Sequence, residues 1–131
     1  MTTEENCIFC KIAKGEILHN KIWESENCLA FLDANPIREG HTLVIPKKHY
    51  DYLFDIEDKE YTDLMINAKK VAKLLKEKLH PKRIGVIVEG FEVHHAHIHL
   101  VPINKGSDLS FSNSHKAHPE ELNSVEKRIK S

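Results

Sequence analysis

The run Glu92–Pro102, E-V-H-H-A-H-I-H-L-V-P, limits what this chain can fold into more than any other stretch. His95, His97 and His99 alternate with Ala96, Ile98 and Leu100. Successive side chains of a pleated strand point to opposite faces, so the alternation predicts a strand with one apolar face and one face of three imidazoles. A solvated strand face is ordinarily a mixture of Lys, Glu, Thr and Ser. A face of imidazoles alone points to chemistry rather than packing. At roughly 3.3 Å per residue, His95 and His99 stand about 13 Å apart, and neighbours about 6.6 Å. Two neighbours can close on one small anion or metal, but three on a straight strand cannot surround one atom. Two therefore share a task and the third has another.

Around that strand the chain reads as short elements. Cys7–Gly15 predicts a helical turn with Ile8, Phe9 and Ile12 on one face, stopped at Gly15. Leu18–Glu24 and Cys28–Asp33 read as an antiparallel hairpin, with Cys28 a small core residue. Gly40–Pro46 is a further strand, and Lys47-Lys48-His49 follows it. Over Asp58–Leu79, Tyr61, Leu64, Met65, Ala68, Ala72, Leu75 and Leu79 form one apolar stripe at helical spacing, with Asp58 placed to cap the start and His80-Pro81 to end it. Arg83–Val88 predicts a strand with Ile84, Val86 and Val88 on one face, and Pro119–Ile129 a C-terminal helix. His115 and His118 read as solvent-exposed, without partners. The expected fold is α+β: a five-stranded antiparallel meander with one main helix, in a single domain over 1–131, its core at about 7–102 and a tail at 103–131.

Composition excludes several classes. A formal net charge of -1 over 131 residues gives no basic field for nucleic acid, and no apolar run is long enough to span a bilayer. Met1–Asn6 is polar and acidic rather than a secretory leader, and three cysteines fit a reducing, cytoplasmic setting. The Cys7-x-x-Cys10 pair then has three readings. A thioredoxin-like redox site needs a preceding strand, and none is predicted. A disulfide is disfavoured in that compartment. Half a zinc site needs two more ligands, for which His49 and the left-over triad imidazole are candidates.

A neutral imidazole is nucleophilic at nitrogen and can carry a phosphoryl or nucleotidyl group, and a neighbouring one can manage the leaving group's proton. Three on a strand suit such covalent chemistry without a metal. They would also suit a three-histidine metal centre if the strand curled sharply.

His95-Ala96-His97-Ile98-His99-Leu100-Val101 resembles the signature of the histidine triad (HIT) family, and Gly40–His49 is similar to that family's other characteristic segment. Cys7–Ile12 and Leu29–Asp33 match its opening, so the likeness covers residues 7 to about 102. The resemblance implies an α+β sheet paired into a homodimer, and hydrolysis or transfer at the α-phosphate of a nucleoside phosphoramidate or related mononucleotide adduct. It implies His97 as the nucleophile, His99 at the phosphate and leaving group, and His41 as a fourth histidine at the phosphate. Asp33 is implied at the ribose hydroxyls and Ala34 beside a purine base. It further implies structural zinc on Cys7, Cys10, His49 and His95, with no cofactor for catalysis. The alternatives are a zinc-stapled nucleotide-binding or regulatory module with little turnover, and a dinucleoside polyphosphate hydrolase. Relatives usually read Gly-Gln-Ser/Thr-Val before the triad, where this chain has Gly90-Phe91-Glu92-Val93. Glu92 shares the parity of His94 and Ala96, so a regular strand would turn it away from the phosphate.

Overall fold

A computed structural model describes residues 4–131, so residues 1–3 of the polar opening lie outside the described residues. The elements are helix α1 (Ile8–Ala13), strands β1 (Lys21–Glu24), β2 (Cys28–Leu32) and β3 (Thr42–Pro46), helix α2 (Asp58–Leu79), strands β4 (Arg83–Ile87) and β5 (Ile98–Ile103), and helix α3 (Pro119–Lys130). All strand pairs are antiparallel, in the order β1-β2-β3-β5-β4. The strict meander is therefore wrong at one point. β5 inserts between β3 and β4, leaving β4 at the edge, because the α2 crossover carries the chain past one strand position before β5 fills it.

Both faces of the sheet are buried, and strand parity sorts the side chains. Ala30, Leu32, Val44, Ile98 and Leu100 face Leu64, Ala68, Val71 and Leu75 of α2, with Val125 and Ile129 of α3 closing that layer. Leu29, Phe31, Leu43 and Ile45 face the other way, onto Phe9 and Ile12 of α1. Leu43 is paired in register with His99, so His99 belongs to the α1 face. Burying each large aliphatic side chain contributes about 1.5–3 kcal/mol, so the α2 stripe outweighs the helix's intrinsic propensity in holding it to the sheet. The stripe is displaced from the expected one. Val71 and Asn67 are buried and Met65 is 38% exposed, because the contact face centres on positions 64, 68, 71 and 75. Asn67 is satisfied there, accepting from the Trp23 indole N–H at 3.1 Å and donating to the Asp63 carbonyl.

Other local expectations shift. Glu57, not Asp58, occupies the α2 N-cap, without a side-chain bond, and Asp58 lies in the first turn. His80 ends the helix in the left-handed region, its N–H on the Lys76 carbonyl. Ile8 and Val86 are exposed, Ile8 beside Phe9 and Ile12 on the cleft described below and Val86 on the edge strand. His115 is exposed as expected but lies 3.7 Å from the Glu121 carboxylate. Among the described residues no helix is long and apolar enough to cross a membrane.

Candidate functional site

The triad reaches its positions differently from a straight strand. β5 begins only at Ile98; residues 91–95 approach it as bends and 96–97 as irregular chain, held by the Ala96 N–H on the Tyr50 carbonyl at 2.6 Å. That curl gives the three imidazoles different surroundings, and each ring's tautomer is set by one neighbour. All three are buried.

His95 donates from Nε2 to the Pro46 carbonyl at 2.8 Å, which leaves the Nδ1 lone pair facing Cys7 Sγ at 3.3 Å and Cys10 Sγ at 3.4 Å. His49 Nδ1 lies 3.2 Å from Cys10 Sγ. The four donor atoms all lie within 4.8 Å of one another. In a tetrahedral zinc site, S and N ligands at about 2.3 and 2.05 Å are about 3.6 Å apart. The donor set and spacing therefore fit a closed four-ligand metal site, and the His95–Pro46 bond is the outer-sphere contact that orients such a ligand. Cys7 also accepts from the Cys10 N–H at 3.4 Å, so the α1 turn brings both sulfurs to one side. Burial pushes the His95 imidazole down to about 4, the neighbouring His49 and His97 rings adding to the effect against the Pro46 bond. The ring is neutral, as a ligand must be.

His97 donates from Nδ1 to the His95 carbonyl at 2.7 Å, so its lone pair is on Nε2. The other two rings form a chain. The Ile37 N–H donates to His41 Nδ1 at 2.9 Å, and His41 Nε2 donates to His99 Nδ1 at 2.9 Å. The remaining His99 proton is therefore on Nε2, a buried donor without a partner. Burial, reinforced by the nearby His97 and His41 imidazoles, pushes His99 down to about 3, and burial likewise lowers His41. Both rings are neutral and aligned by hydrogen bonds rather than by charge. The turn that delivers His41 needs Gly40 at φ +88°, where a Cβ would also meet Leu79 Cδ1 and lie 3.0 Å from Pro102 Cγ.

His97 and His99, with ring centroids 4.9 Å apart, open on a cleft of about 520 Å³ whose walls include Phe9, Ile12, Phe31 and Leu43. Asp33 and Ala34 line the same cleft. Asp33 Oδ1 accepts from the Asn35 N–H at 2.8 Å, and Oδ2 lies 3.5 Å from His41 Nε2. The structure thus brings His97, His99, Asp33 and Ala34 to one cleft, with His41 buried and reaching it only through its bond to His99, and Cys7, Cys10, His49 and His95 to a separate cluster. The regular strand expected to set the direction of Glu92 is absent. Residue 92 lies in the bends, where strand parity has no force, and it lines the cleft.

Three lining residues carry no signal in the sequence. Phe111 sits edge-on to His99 at 5.2 Å, and Ser114 lies beyond it. The tail reaches this position because the Ala117 N–H bonds the Ala34 carbonyl and the His115 N–H the Pro36 carbonyl. Glu89 closes the cleft beside the triad, a carboxylate oxygen and a ring nitrogen of each of His97 and His99 all within 4.8 Å of one another. Among the described residues no Lys or Arg lines this cleft. Cys28 is inert core, its thiol pushed up to about 12 by burial and by the Asp63 carboxylate.

Fold and site together define a protein whose chemistry-bearing groups are imidazoles of one strand and its approach. The HIT domain family matches residues 14–106, and the chain belongs to that family. It is 43% identical over 105 residues to a HIT-like protein of Methanocaldococcus jannaschii, covering 76% of this chain and 81% of that protein. It is 45% identical over 103 residues to an adenosine 5'-monophosphoramidase of Saccharomyces cerevisiae, covering 77% of this chain and 65% of the relative. A zinc-bound histidine triad family protein from Mycobacterium smegmatis superposes with a TM-score of 0.81 at 29% identity, covering 98% of this chain and 93% of its own.

Proposed function

We propose that this protein is a nucleotide hydrolase or transferase acting at the α-phosphate of nucleoside phosphoramidates or related mononucleotide adducts, through a covalent nucleotidyl-His97. The observation that carries the reading is the pair of complementary nitrogens on one cleft. Nε2 of His97 offers a lone pair, and Nε2 of His99 offers a buried, unused N–H. A phosphoryl group between them would meet a nucleophile on one side and a hydrogen-bond donor on the other. In the first half-reaction an N–P bond forms to His97 as the P–N bond to the leaving amine breaks. In the second, water's oxygen bonds to phosphorus, the His97 N–P bond breaks, and the nucleoside monophosphate leaves. His99 steadies the phosphate and the leaving group, and His41, itself fixed by the Ile37 N–H, holds His99 in the donating tautomer.

Asp33 and Ala34 take the ribose hydroxyls and a purine base. The similarity to a monophosphoramidase supports that substrate class. A cleft without Lys or Arg speaks against a dinucleoside polyphosphate, whose leaving group carries several negative charges. Cys7, Cys10, His49 and His95 would hold a structural zinc ion, and with four protein ligands such an ion would have no open position for chemistry. The exposed edge of β4, with Val86 on it, supports pairing of two copies into a homodimer. Residues 1–131 act as one domain in a cytoplasmic protein.

Intact-mass measurement after brief mixing with adenosine 5'-phosphoramidate tests the covalent step. A transient adduct of one adenylyl group is expected on the wild type and none on His97→Ala, which should still bind AMP. His97→Ala turnover above about a hundredth of wild type would reduce His97 to an acid–base aid, since general catalysis alone is worth about 10²–10⁴.

A further inference from the structure

The proposed reaction needs a proton for the leaving amine, and the imidazoles do not hold one to give. His97 keeps its proton on the His95 carbonyl. His41 and His99 each carry a single proton, and His41 Nδ1 already faces the Ile37 N–H. If His99 handed on its Nε2 proton and took the one from His41, His41 would be left as an imidazolate. The chain can donate hydrogen bonds, but any net transfer strands an anion in a buried site. Burial also holds both rings neutral, so neither carries a second proton.

Of the other titratable groups on the cleft, Asp33 is engaged with the Asn35 N–H and His41, His19 is bonded to the Leu32 carbonyl, and Glu92 is not grouped with the two rings. Among the described residues, Glu89 is the carboxylate placed with both His97 and His99. The unpartnered Nε2–H of His99, in a ring 5% exposed, opens on the same cleft and marks where an anionic oxygen would sit.

We propose that Glu89 is the proton carrier of both half-reactions, a role that rests on the reaction described above. The carboxyl lies beside both rings, where the phosphate and the departing nitrogen would meet it. As the His97–phosphorus bond forms and the P–N bond breaks, the Glu89 O–H gives its proton to the departing nitrogen, which leaves as a neutral amine. Glu89, now a carboxylate, takes a proton from the water whose oxygen attacks phosphorus. The N–P electron pair returns to His97 Nε2. The sum is one phosphoramidate and one water giving one nucleoside monophosphate and one amine, with Glu89 as it began.

The test is Glu89→Gln assayed on two adenosine 5'-phosphates, one with an alkylamine leaving group and one with 4-nitrophenol, which departs as a stable anion. The variant should form adduct from the amine substrate 10²–10⁴-fold more slowly. Its nitrophenolate burst should slow by less than about fivefold, and the steady rate after the burst should fall because the water step still needs a base. In Glu89→Ala, added formate should restore part of the amine reaction, a response that a purely structural role would not give. A loss under tenfold on the amine substrate, or a burst slowed as much as the amine reaction, overturns the assignment. Wild-type protein that shows neither turnover nor burst takes down the reaction itself, and Glu89's role with it.

Discussion

Acid should destabilise this fold through His99, because the folded protein holds that ring neutral. Its pKa is about 3 in the fold against 6.5 as the ordinary value, so the unfolded chain takes up the proton first as pH falls. The contribution is therefore fully present above about pH 6.5 and is lost progressively as pH drops toward 3. At pH 5 the unfolded state is favoured by about 1.5 pH units of protonation, at 1.36 kcal/mol each, or about 2 kcal/mol. The comparison protein is His99→Gln, whose side-chain oxygen can still accept from His41 Nε2. His95 is lowered in the same sense, but it is common to both proteins and cancels. Urea unfolding at pH 7.5 and pH 5.0, extrapolated linearly, gives the two losses. Wild type should lose about 2 kcal/mol more than the variant over that interval. A difference below about 0.5 kcal/mol would mean that His99 is not held neutral by burial, and the hydrogen-bonded chain from Ile37 would have to be redrawn.

Three other outcomes follow from the geometry. Purified protein should carry one zinc ion per chain; chelation should lower stability by several kcal/mol yet change the rate per folded molecule less than about threefold, and a matching loss of rate would place the metal in the reaction. Phe111→Ala should leave the urea midpoint almost unmoved, since the ring is 44% exposed, but raise KM for the nucleotide substrate about 3- to 10-fold by removing the wall beside His99; an unchanged KM would show the tail to be mere packing. Gly40→Ala should cost about 2–4 kcal/mol, against about 1 kcal/mol for Gly15→Ala. Both glycines have positive φ, but a Cβ at Gly15 meets nothing within 4 Å, so equal losses in urea would mean that Leu79 and Pro102 yield.

Elements whose signal is local were legible in adjacent residues. α2 runs from Asp58 to Leu79 as its helical spacing predicts, and the other strands and the C-terminal helix fall within a few residues of their expected bounds, but the histidine strand begins only at Ile98, with His95 and His97 ahead of it. Period and capping chemistry act over one to three turns, so they are written in adjacent residues. The separation of His95 from His97 and His99 was expected from the rise of a straight strand, but the fold achieves it by the irregular approach at 91–97, which carries His95 to the cysteines. The full set Cys7, Cys10, His49 and His95 came only through the family resemblance, and the fold draws it together from three distant stretches.

Tertiary structure decided what depends on distant partners. The place of β5 between β3 and β4 is set by pairing across the sheet, which no window of local sequence encodes. The burial of Val71 and the exposure of Met65 follow from where α2 meets the sheet, a rotation of the helix that its own stripe leaves free. Strand parity has no force at Glu92 because pleating needs a ladder partner, and residues 91–97 have no strand partner until Ile98 joins β3 and His99 joins β4. Phe111 lies far along the chain from His99's other neighbours and reaches the cleft only because backbone bonds tie the tail to Ala34 and Pro36. The tautomers of His41, His95, His97 and His99 are of the same kind. An imidazole's proton goes to whichever nitrogen faces an acceptor, and the carbonyls of Pro46 and His95 and the amide of Ile37 take up their positions only in the folded chain.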